Sequence, residues 1–177
     1  LLLYSYAGDE FKAGAFKTLV PSELKHSAAK GYKAGNEVVI TGKDLDLVTG
    51  IKIGEEAVAE FTSDKNGIKF NLSATVKDGD LIISLANGKT EKVGTKIEMV
   101  KPTITALSAT QIMAGETFEI EGTDLDLVTK VVLKDKACEF KYDETTKKIT
   151  VTTANTSQTG KVTIETQNGT TVVSEAE

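Results

Sequence analysis

The sequence contains no arginine and no tryptophan, and all 21 of its basic residues are lysines. Arginine supplies the planar fork that binds phosphate and carboxylate groups in a bidentate manner. The formal net charge is -5 at pH 7, whereas affinity for nucleic acid depends on basic side chains that neutralise phosphates. We therefore predict that the chain has no nucleic-acid partner.

Cysteine and long apolar runs are also scarce. Cys138 is the only cysteine and cannot form an intramolecular disulfide. We predict that it is a small buried residue on a strand, the alternative being a reactive thiol. No apolar stretch reaches the roughly 18 residues of a transmembrane helix, which predicts no direct membrane insertion by this segment. The run Leu1–Tyr4 lacks a basic flank and is too short for a signal-peptide core.

Residues that could perform catalysis are few. His26 is the only histidine, and no cysteine, serine motif or metal ligand stands at a recognised spacing from it. We predict that it is solvated in a polar segment between strands. Asp143 and Glu144 are predicted to form a hairpin tip, and no feature places two carboxylates across a cleft. The sequence therefore predicts a protein that is not an enzyme, with no catalytic residue, no metal site and no cofactor.

The sequence does contain an internal repeat. Residues 34–49 read AGNEVVITGKDLDLVT and residues 114–129 read AGETFEIEGTDLDLVT, so ten of sixteen positions are identical at an offset of 80. The six residues Asp44–Thr49 return unchanged as Asp124–Thr129. Such self-similarity indicates that one structural unit occurs more than once in the chain.

Weaker similarity extends the repeat along the chain. Pro21 and Pro102, the only prolines, lie 81 residues apart, and each precedes one copy. Proline favours extended junctions and cannot donate to a sheet ladder. Residues 2–20 align with residues 82–100, again at an offset of 80. We therefore predict a window from a longer array with three parts: the closing hairpin of a truncated preceding module over 1–20, one module over 21–101 and a second over 102–177.

Both copies contain short strand patterns and no helical periodicity of useful length. The predicted strands are 37–41, 48–53, 67–72, 80–85 and 96–100 in the first module, and 117–121, 128–133, 148–153, 161–166 and 170–173 in the second. Asn-Gly pairs at 66–67, 87–88 and 168–169 predict type I′ hairpins, and Asp78-Gly79 predicts a similar tight turn. About seven short strands with frequent turns predict an all-β, immunoglobulin-like β-sandwich in each copy.

Residues 102–108, PTITALS, followed by residues 114–125, AGETFEIEGTDL, resemble the start of an IPT/TIG domain. That family typically opens with P-x-I-x-x-[IL]-[ST], followed by a G-x-x-[VF]-x-I-x-G strand and an N/D-L turn. Residues 162–169 resemble its closing hairpin. The first module departs from the pattern at residues 21–27, PSELKHS, where it is less apolar. The resemblance implies tandem immunoglobulin-like modules of the IPT/TIG type.

Tandem copies with this turn and without arginine are most similar to segments of surface glycan-binding lipoproteins of Bacteroidetes. The resemblance implies a rigid, non-catalytic spacer array at the bacterial outer-membrane surface, anchored through a segment not present here, that presents a glycan-binding domain. It implies a polysaccharide or another surface protein of the same system as partner. The alternative is that the modules themselves bind a glycan or a protein through loops or a strand edge. No ligand-binding residue follows from either interpretation.

The repeated Asp-Leu-Asp-Leu sequence is the most prominent candidate for a site. Its paired carboxylates, Asp44 with Asp46 and Asp124 with Asp126, could hold a calcium ion. The favoured interpretation is a turn in which the first aspartate of each copy caps its own backbone as an Asx turn, while the leucines and the following valine fill the core. No EF-hand spacing and no downstream bidentate glutamate support the calcium alternative.

Aromatic rings are the other candidate, because sugar C–H faces pack on flat aromatic platforms. The four tyrosines, Tyr4, Tyr6, Tyr32 and Tyr142, show no repeated spacing. We predict that each is a residue of a strand or of the core edge. A contiguous exposed patch of two or more tyrosines would instead favour a binding module.

Overall fold

The computed structural model of the chain describes residues 2–4, 10–12, 19–27, 31–64, 67–156 and 159–175. Its regular secondary structure is antiparallel β-strand, apart from single 3-10 turns at Leu45–Leu47 and Leu125–Leu127. Two separate apolar cores form, one from residues between 32 and 99 and one from residues between 118 and 164. The predicted all-β class with immunoglobulin-like sandwiches is confirmed. We call the two cores, with their strands, the first and the second module.

The first module has two four-stranded sheets. One sheet contains, in spatial order, Ser22–His26, Glu37–Lys43, Gly67–Asn71 and Thr62–Asp64. The other contains Thr90–Lys92, Leu81–Leu85, Val48–Ile53 and Glu56–Ala57. Side chains alternate between the two faces of a strand, so Val38 and Ile40 of the first sheet and Leu81 and Ile83 of the second are buried in one core.

The second module joins its strands into a single sheet of seven. Their spatial order is Thr103–Leu107, Thr117–Thr123, Ile149–Thr152, Lys136–Tyr142, Val128–Leu133, Val162–Thr166 and Thr171–Val173. Residues 136–138 of the strand Lys136–Tyr142 pair on one side and residues 139–142 on the other, so this strand connects the two halves of the sandwich. In the first module the same path is broken into Glu56–Ala57 and Thr62–Asp64, where the sequence is one residue longer.

At the N-terminus, Leu2–Tyr4 pairs antiparallel with Glu10–Lys12. The predicted hairpin over 1–20 therefore has two paired strands, and its other residues before Leu19 lie outside the described ones. Its assignment to a truncated preceding module stays a prediction.

Most predicted strands lie within one or two residues of their observed ends, but the strand predicted at 96–100 is wrong. This stretch makes two isolated bridges, Ile97 antiparallel to Gly79 and Met99 parallel to Tyr32. Because the two partners come from different segments and run in opposite senses, no continuous ladder forms. Ile97 and Met99 are nevertheless buried, with 0% and 7% of their surface exposed.

The predicted turn types are also wrong. A type I′ turn needs positive φ at both central residues, but of Asn87 and Gly88 only Gly88 has it, at 80°. The Gly88 N–H donates to the Leu85 carbonyl, and the Leu85 N–H donates to the Lys89 carbonyl. Three residues, 86–88, therefore lie between the hydrogen-bonded residues Leu85 and Lys89, instead of the two of a type I′ hairpin. The second module has the same turn, with Gly169 at 79°. Asn66 lies outside the described residues.

The predicted tight turn at Asp78-Gly79 does not form as a hairpin, because Gly79 bridges to Ile97 and Asp78 accepts a hydrogen bond from the Met99 N–H at 2.8 Å. A Cβ at Gly79 would stand 2.5 Å from the Gly54 nitrogen. This glycine is therefore required by a close backbone approach.

Replacing Leu125 with alanine should destabilise the second module. Its side chain is 1% exposed, and truncation of such a leucine costs about 2–5 kcal/mol through lost burial and the cavity left behind. Chemical denaturation followed by circular dichroism measures the loss. The control is Val173→Ala in the same module, because Val173 is 52% exposed and should change stability by less than about 0.5 kcal/mol. Equal effects of the two variants would contradict the assigned core.

Candidate functional site: the repeated turn and the module junction

The repeated Asp-Leu-Asp-Leu sequence forms the same backbone turn in both modules. Asp44 and Asp124 adopt the left-handed conformation, with φ of 56° and 52°. Aspartate tolerates this region better than most residues. A 3-10 turn follows in each copy, closed by a hydrogen bond from the Leu47 N–H to the Asp44 carbonyl at 3.3 Å and by its counterpart in the second module.

The first leucine and the valine of the turn point inward, as predicted, whereas the second leucine, Leu47 or Leu127, is only half-buried. Leu45 and Leu125 are almost completely buried, and the valines that follow, Val48 and Val128, also belong to the cores. The Thr49 hydroxyl donates to the Ser84 carbonyl of the neighbouring strand at 3.1 Å, and Thr129 makes the matching bond. The shared residues are therefore accounted for by packing and strand pairing.

The predicted Asx turns are wrong, because neither Asp44 nor Asp124 makes a side-chain capping hydrogen bond. The left-handed backbone already closes the turn through main-chain atoms and turns the carboxylate outward. In the second module this leaves the carboxylates of Asp124 and Asp126 available to a residue of the first module.

Lys33 of the first module binds both of these carboxylates. Its Nζ lies 2.9 Å from Oδ1 of Asp124 and 3.2 Å from Oδ2 of Asp126. The hydrogen bond to Asp124, and then the bond and charge of Asp126, raise the pKa of the Lys33 ammonium against the lowering effect of partial burial. The three side chains are about a third or more exposed, so the ion pairs orient the junction more than they stabilise it.

The hairpin tip of the second module makes the other polar contact of the junction. The Asn168 side-chain amide donates to the Val76 carbonyl at 3.1 Å. A Cβ at Gly169 would lie 3.9 Å from the end of the Lys77 side chain, so the lysine side chain of the first module contacts the glycine of the hairpin tip. The turn and the hairpin tip of the second module therefore both rest on the first.

The connection between the modules has little slack. The Val100 N–H still donates to Tyr32 in the first module at 2.8 Å, and Thr103 already begins a strand of the second. Of the two residues between them, Pro102 is buried and the Nζ of Lys101 lies 2.9 Å from Oδ2 of Asp78.

Asp78 anchors this connection from the first module. Partial burial raises the pKa of Asp78, but the hydrogen bonds from Lys101 and from the Met99 N–H outweigh it and leave the pKa below its ordinary value. The carboxylate is therefore ionised and holds the end of the first module against the connection.

Of the predictions for the single histidine and the single cysteine, the first is wrong and the second is confirmed. The prediction of a solvated His26 between strands is wrong, because it lies on the strand Ser22–His26, is half-buried and has Nε2 2.8 Å from the Thr95 carbonyl oxygen. The prediction of a buried Cys138 on a strand is confirmed. Its thiol donates to the Lys136 carbonyl at 3.6 Å. Asp143 caps a hairpin tip as predicted, because Oδ1 accepts the Thr145 and Thr146 N–H groups.

Aromatic rings do not form a platform on the described surface. Tyr32 is buried in the first core at 3% exposure, and Tyr142 packs against the second. Every other aromatic side chain that the structure describes is buried or half-buried. The side chains of Tyr4 and Tyr6 lie outside the described ones.

Within the described ranges, no three His, Cys, Asp or Glu side chains come close enough together to hold a metal ion. No helix among those residues has the length and apolar character needed to cross a membrane. Each module has an open groove, of about 730 Å³ beside Phe61 in the first and about 770 Å³ beside Met113 in the second.

No protein-family model matches the chain, and no curated protein does. Among solved structures it is similar to a surface glycan-binding protein from a xyloglucan utilization locus of Bacteroides uniformis, at 14% identity and a TM-score of 0.39, over 88% of this chain and 48% of that one. A surface glycan-binding protein of Prevotella bryantii is 16% identical, with a TM-score of 0.40, and the match covers 90% of this chain and 42% of that one. The extracellular region of plexin A4 is 18% identical, with a TM-score of 0.37, and the match covers 82% of this chain and 13% of that one.

The chain therefore spans less than half the length of each of these proteins. Both glycan-binding proteins and the extracellular region of plexin A4 occur among them. At this distance the likeness assigns no ligand to the chain.

Calcium should leave the thermal stability of the protein unchanged. The Asp124 and Asp126 carboxylates are occupied by Lys33, and two carboxylates fall short of the six to eight oxygen ligands that calcium takes. Differential scanning calorimetry with millimolar calcium and with a chelator checks this. A calcium-dependent rise in melting temperature that Asp124→Asn abolishes would contradict the structural role of the turn.

Proposed function

We propose that this chain is a non-catalytic spacer array of immunoglobulin-like modules at a cell surface, whose packed junction fixes the position of a glycan-binding domain. The observation that carries the proposal is the junction, where Lys33 binds Asp124 and Asp126 across two modules. A spacer needs a fixed direction between its modules rather than a ligand, and this contact supplies one.

The short connection supports the same function. Only Lys101 and Pro102 separate Val100, which makes a backbone hydrogen bond within the first module, from the first strand of the second. A linker of this length, with one residue buried and the other ion-paired, restricts rotation between the modules. Flexible linkers are long and rich in glycine or serine, and this one is neither.

The repeated turn supports an array built from one kind of junction. The same six residues stand at 44–49 and 124–129, and both aspartates of the second copy face another module. In the first copy, the carboxylates of Asp44 and Asp46 accept no hydrogen bond from a described residue. The first module therefore offers the same acceptor surface that the second module uses.

The glycan-binding part of the proposal rests on the resemblance of the two copies to modules of bacterial surface glycan-binding proteins. The partner of the whole assembly would then be a polysaccharide such as xyloglucan or mixed-linkage glucan, by analogy with the similar surface glycan-binding proteins of the xyloglucan and mixed-linkage glucan utilization loci of Bacteroides. Outer-membrane placement through an anchor elsewhere in the polypeptide belongs to the same proposal.

A second function is that the first module binds a glycan itself. Its groove of about 730 Å³ combines a half-buried ring, Phe61, with polar groups of Glu56, Lys69, Asn71 and Ser73. Two of these groups already bond each other, because the Ser73 hydroxyl donates to the Glu56 carboxylate. The two rings that line the groove, Phe61 and Phe70, are half-buried and buried, whereas sugar recognition uses flat, exposed rings.

A short Gly-Ser insertion between Lys101 and Pro102 should uncouple the two modules. In the unmodified protein both modules should tumble with one rotational correlation time, because the junction and the short connection hold them together. The insertion should shorten the correlation time of each module toward that of a single sandwich. Backbone ¹⁵N relaxation measures both values.

The control is the same insertion in the hairpin turn between Lys134 and Asp135, which adds the same residues at a place where neither neighbour lines the cavities beside Lys33. It should preserve the common correlation time. Separate correlation times for the two modules of the unmodified protein would rule out a rigid spacer.

The chain alone should not be retarded by xyloglucan or mixed-linkage β-glucan in affinity gel electrophoresis, because its described surface has no exposed aromatic platform. The matched variant is Phe61→Ala. Retardation of the unmodified chain that this variant abolishes would establish the groove as a glycan site and replace the spacer function with the second one.

A further inference from the structure

Asparagine followed by glycine is the dipeptide most prone to lose its side-chain amide without an enzyme, because glycine has no side chain to shield its backbone nitrogen. The chain contains three such pairs, at 66–67, 87–88 and 168–169. Asn66 lies outside the described residues. The other two pairs stand at the tips of matching hairpins, and Asn168 also contacts the first module.

The two hairpin tips have the same backbone geometry. The Gly88 N–H donates to the Leu85 carbonyl and the Gly169 N–H donates to the Thr166 carbonyl, each at 2.9 Å. The φ angles of the two glycines are 80° and 79°. Differences in reactivity between the two asparagines therefore depend on what holds their side chains.

The Asn87 side chain is exposed and is held at one atom. Its Oδ1 accepts the Lys89 N–H at 3.0 Å, which is a contact within the hairpin itself. The junction with the second module does not involve this side chain. Asn87 is therefore an internal reference for the reactivity of this turn.

The Asn168 side chain is held at both of its polar atoms. Its Oδ1 accepts the Thr166 hydroxyl at 2.6 Å and the Thr170 N–H at 3.1 Å. Its amide nitrogen donates to the Val76 carbonyl of the first module at 3.1 Å. The first two contacts lie within the hairpin, whereas the third requires that the two modules are docked.

Loss of the amide proceeds through a cyclic intermediate. The Gly169 backbone nitrogen forms a bond to Cγ of Asn168, the bond from Cγ to the amide nitrogen breaks, and ammonia leaves with the proton of the Gly169 N–H. Water then opens this succinimide at either of its carbonyl groups and leaves aspartate or isoaspartate. One ammonia is lost and one water is gained, so the step needs no oxidant and no enzyme.

The docked junction opposes ring closure. The Asn168 carboxamide must rotate before its Cγ can meet the Gly169 nitrogen, and the amide nitrogen that leaves is held by the Val76 carbonyl. Local contacts of this kind open more often than the whole fold does. When opening and closing are fast, the reaction follows the population of the open form.

We propose that Asn168–Gly169 is a deamidation site gated by the junction: it is protected while the two modules are docked and reacts when they part. At neutral pH neither product has the N–H that donates to the Val76 carbonyl, so this bond does not form again. The modified fraction at residue 168 therefore accumulates with the time that the junction spends open. The inference rests on the packed junction of the proposed function.

The test ages two proteins in mildly alkaline buffer, the unmodified chain and the chain with the Gly-Ser insertion between Lys101 and Pro102. Trypsin cleaves after lysine, so residues 66–69, 78–89 and 162–177 form three peptides with one Asn-Gly pair each. Mass spectrometry of these peptides measures deamidation at each pair. The insertion should accelerate the reaction of Asn168 at least about tenfold, because it raises the open population, and should leave the rate at Asn87 unchanged.

The matched control is the same insertion between Lys134 and Asp135. It should leave the rates at Asn168 and Asn87 as they are in the unmodified chain. Equal rates at Asn168 in the unmodified chain and in the chain with the insertion at the junction would overturn the inference. Equal acceleration of Asn168 by the control insertion would overturn it too.

Backbone ¹⁵N relaxation of the same samples separates this failure from failure of the spacer function. If the unmodified chain has one rotational correlation time, equal rates at Asn168 refute the gating alone. If its modules have separate correlation times, equal rates refute the gating and the separate times refute the rigid spacer.

Discussion

Each module is held together by one small apolar core that must be closed without a disulfide, since the single cysteine, Cys138, is a buried free thiol. Small domains bury a lower fraction of their surface than large ones, so each core depends on a few completely buried side chains. Leu45 and Leu125 are among them, and both are placed by the left-handed aspartate before them. The repeated turn therefore serves the core first, because it carries the chain between sheets while burying a leucine.

The same turn also serves the junction, and the two roles use different atoms. The backbone of Asp124 closes the turn, while its carboxylate, with that of Asp126, faces Lys33 of the neighbouring module. Since the carboxylate is not needed for capping, it is free to orient one module on the next. A feature that resembled a calcium site in the sequence is thus explained by packing within a module and charge pairing between modules.

Much of the fold could be predicted from the sequence, because apolar and polar residues alternate along a strand that is buried on one face. The repeat also presents each pattern twice. The segment at 96–100 was predicted as a strand for the same reason, and it failed because its two partners lie on different segments. The predicted type of the Asn-Gly turns was wrong because a type I′ turn also needs a positive φ at the asparagine, and the presence of an Asn-Gly pair does not determine that angle.

The site could be predicted only in part. The leucines of the repeated turn follow from its apolar pattern, but the partner of Asp124 does not, because Lys33 lies 91 residues earlier in the chain and outside the identical run. The residue that matches Lys33 in the second module is Met113, so comparison of the two copies does not mark this lysine as a shared residue. Half-burial of His26 similarly depends on Thr95, a contact between distant segments.

The central claim is that the junction fixes the two modules relative to one another. Residual dipolar couplings of the unmodified chain in a dilute liquid crystal test it most directly, because each module reports its own alignment tensor. The account predicts one tensor, with the same magnitude and axes for both modules and with the relative orientation seen in the structure. Two tensors of different magnitude would show independent motion of the modules and would contradict the account.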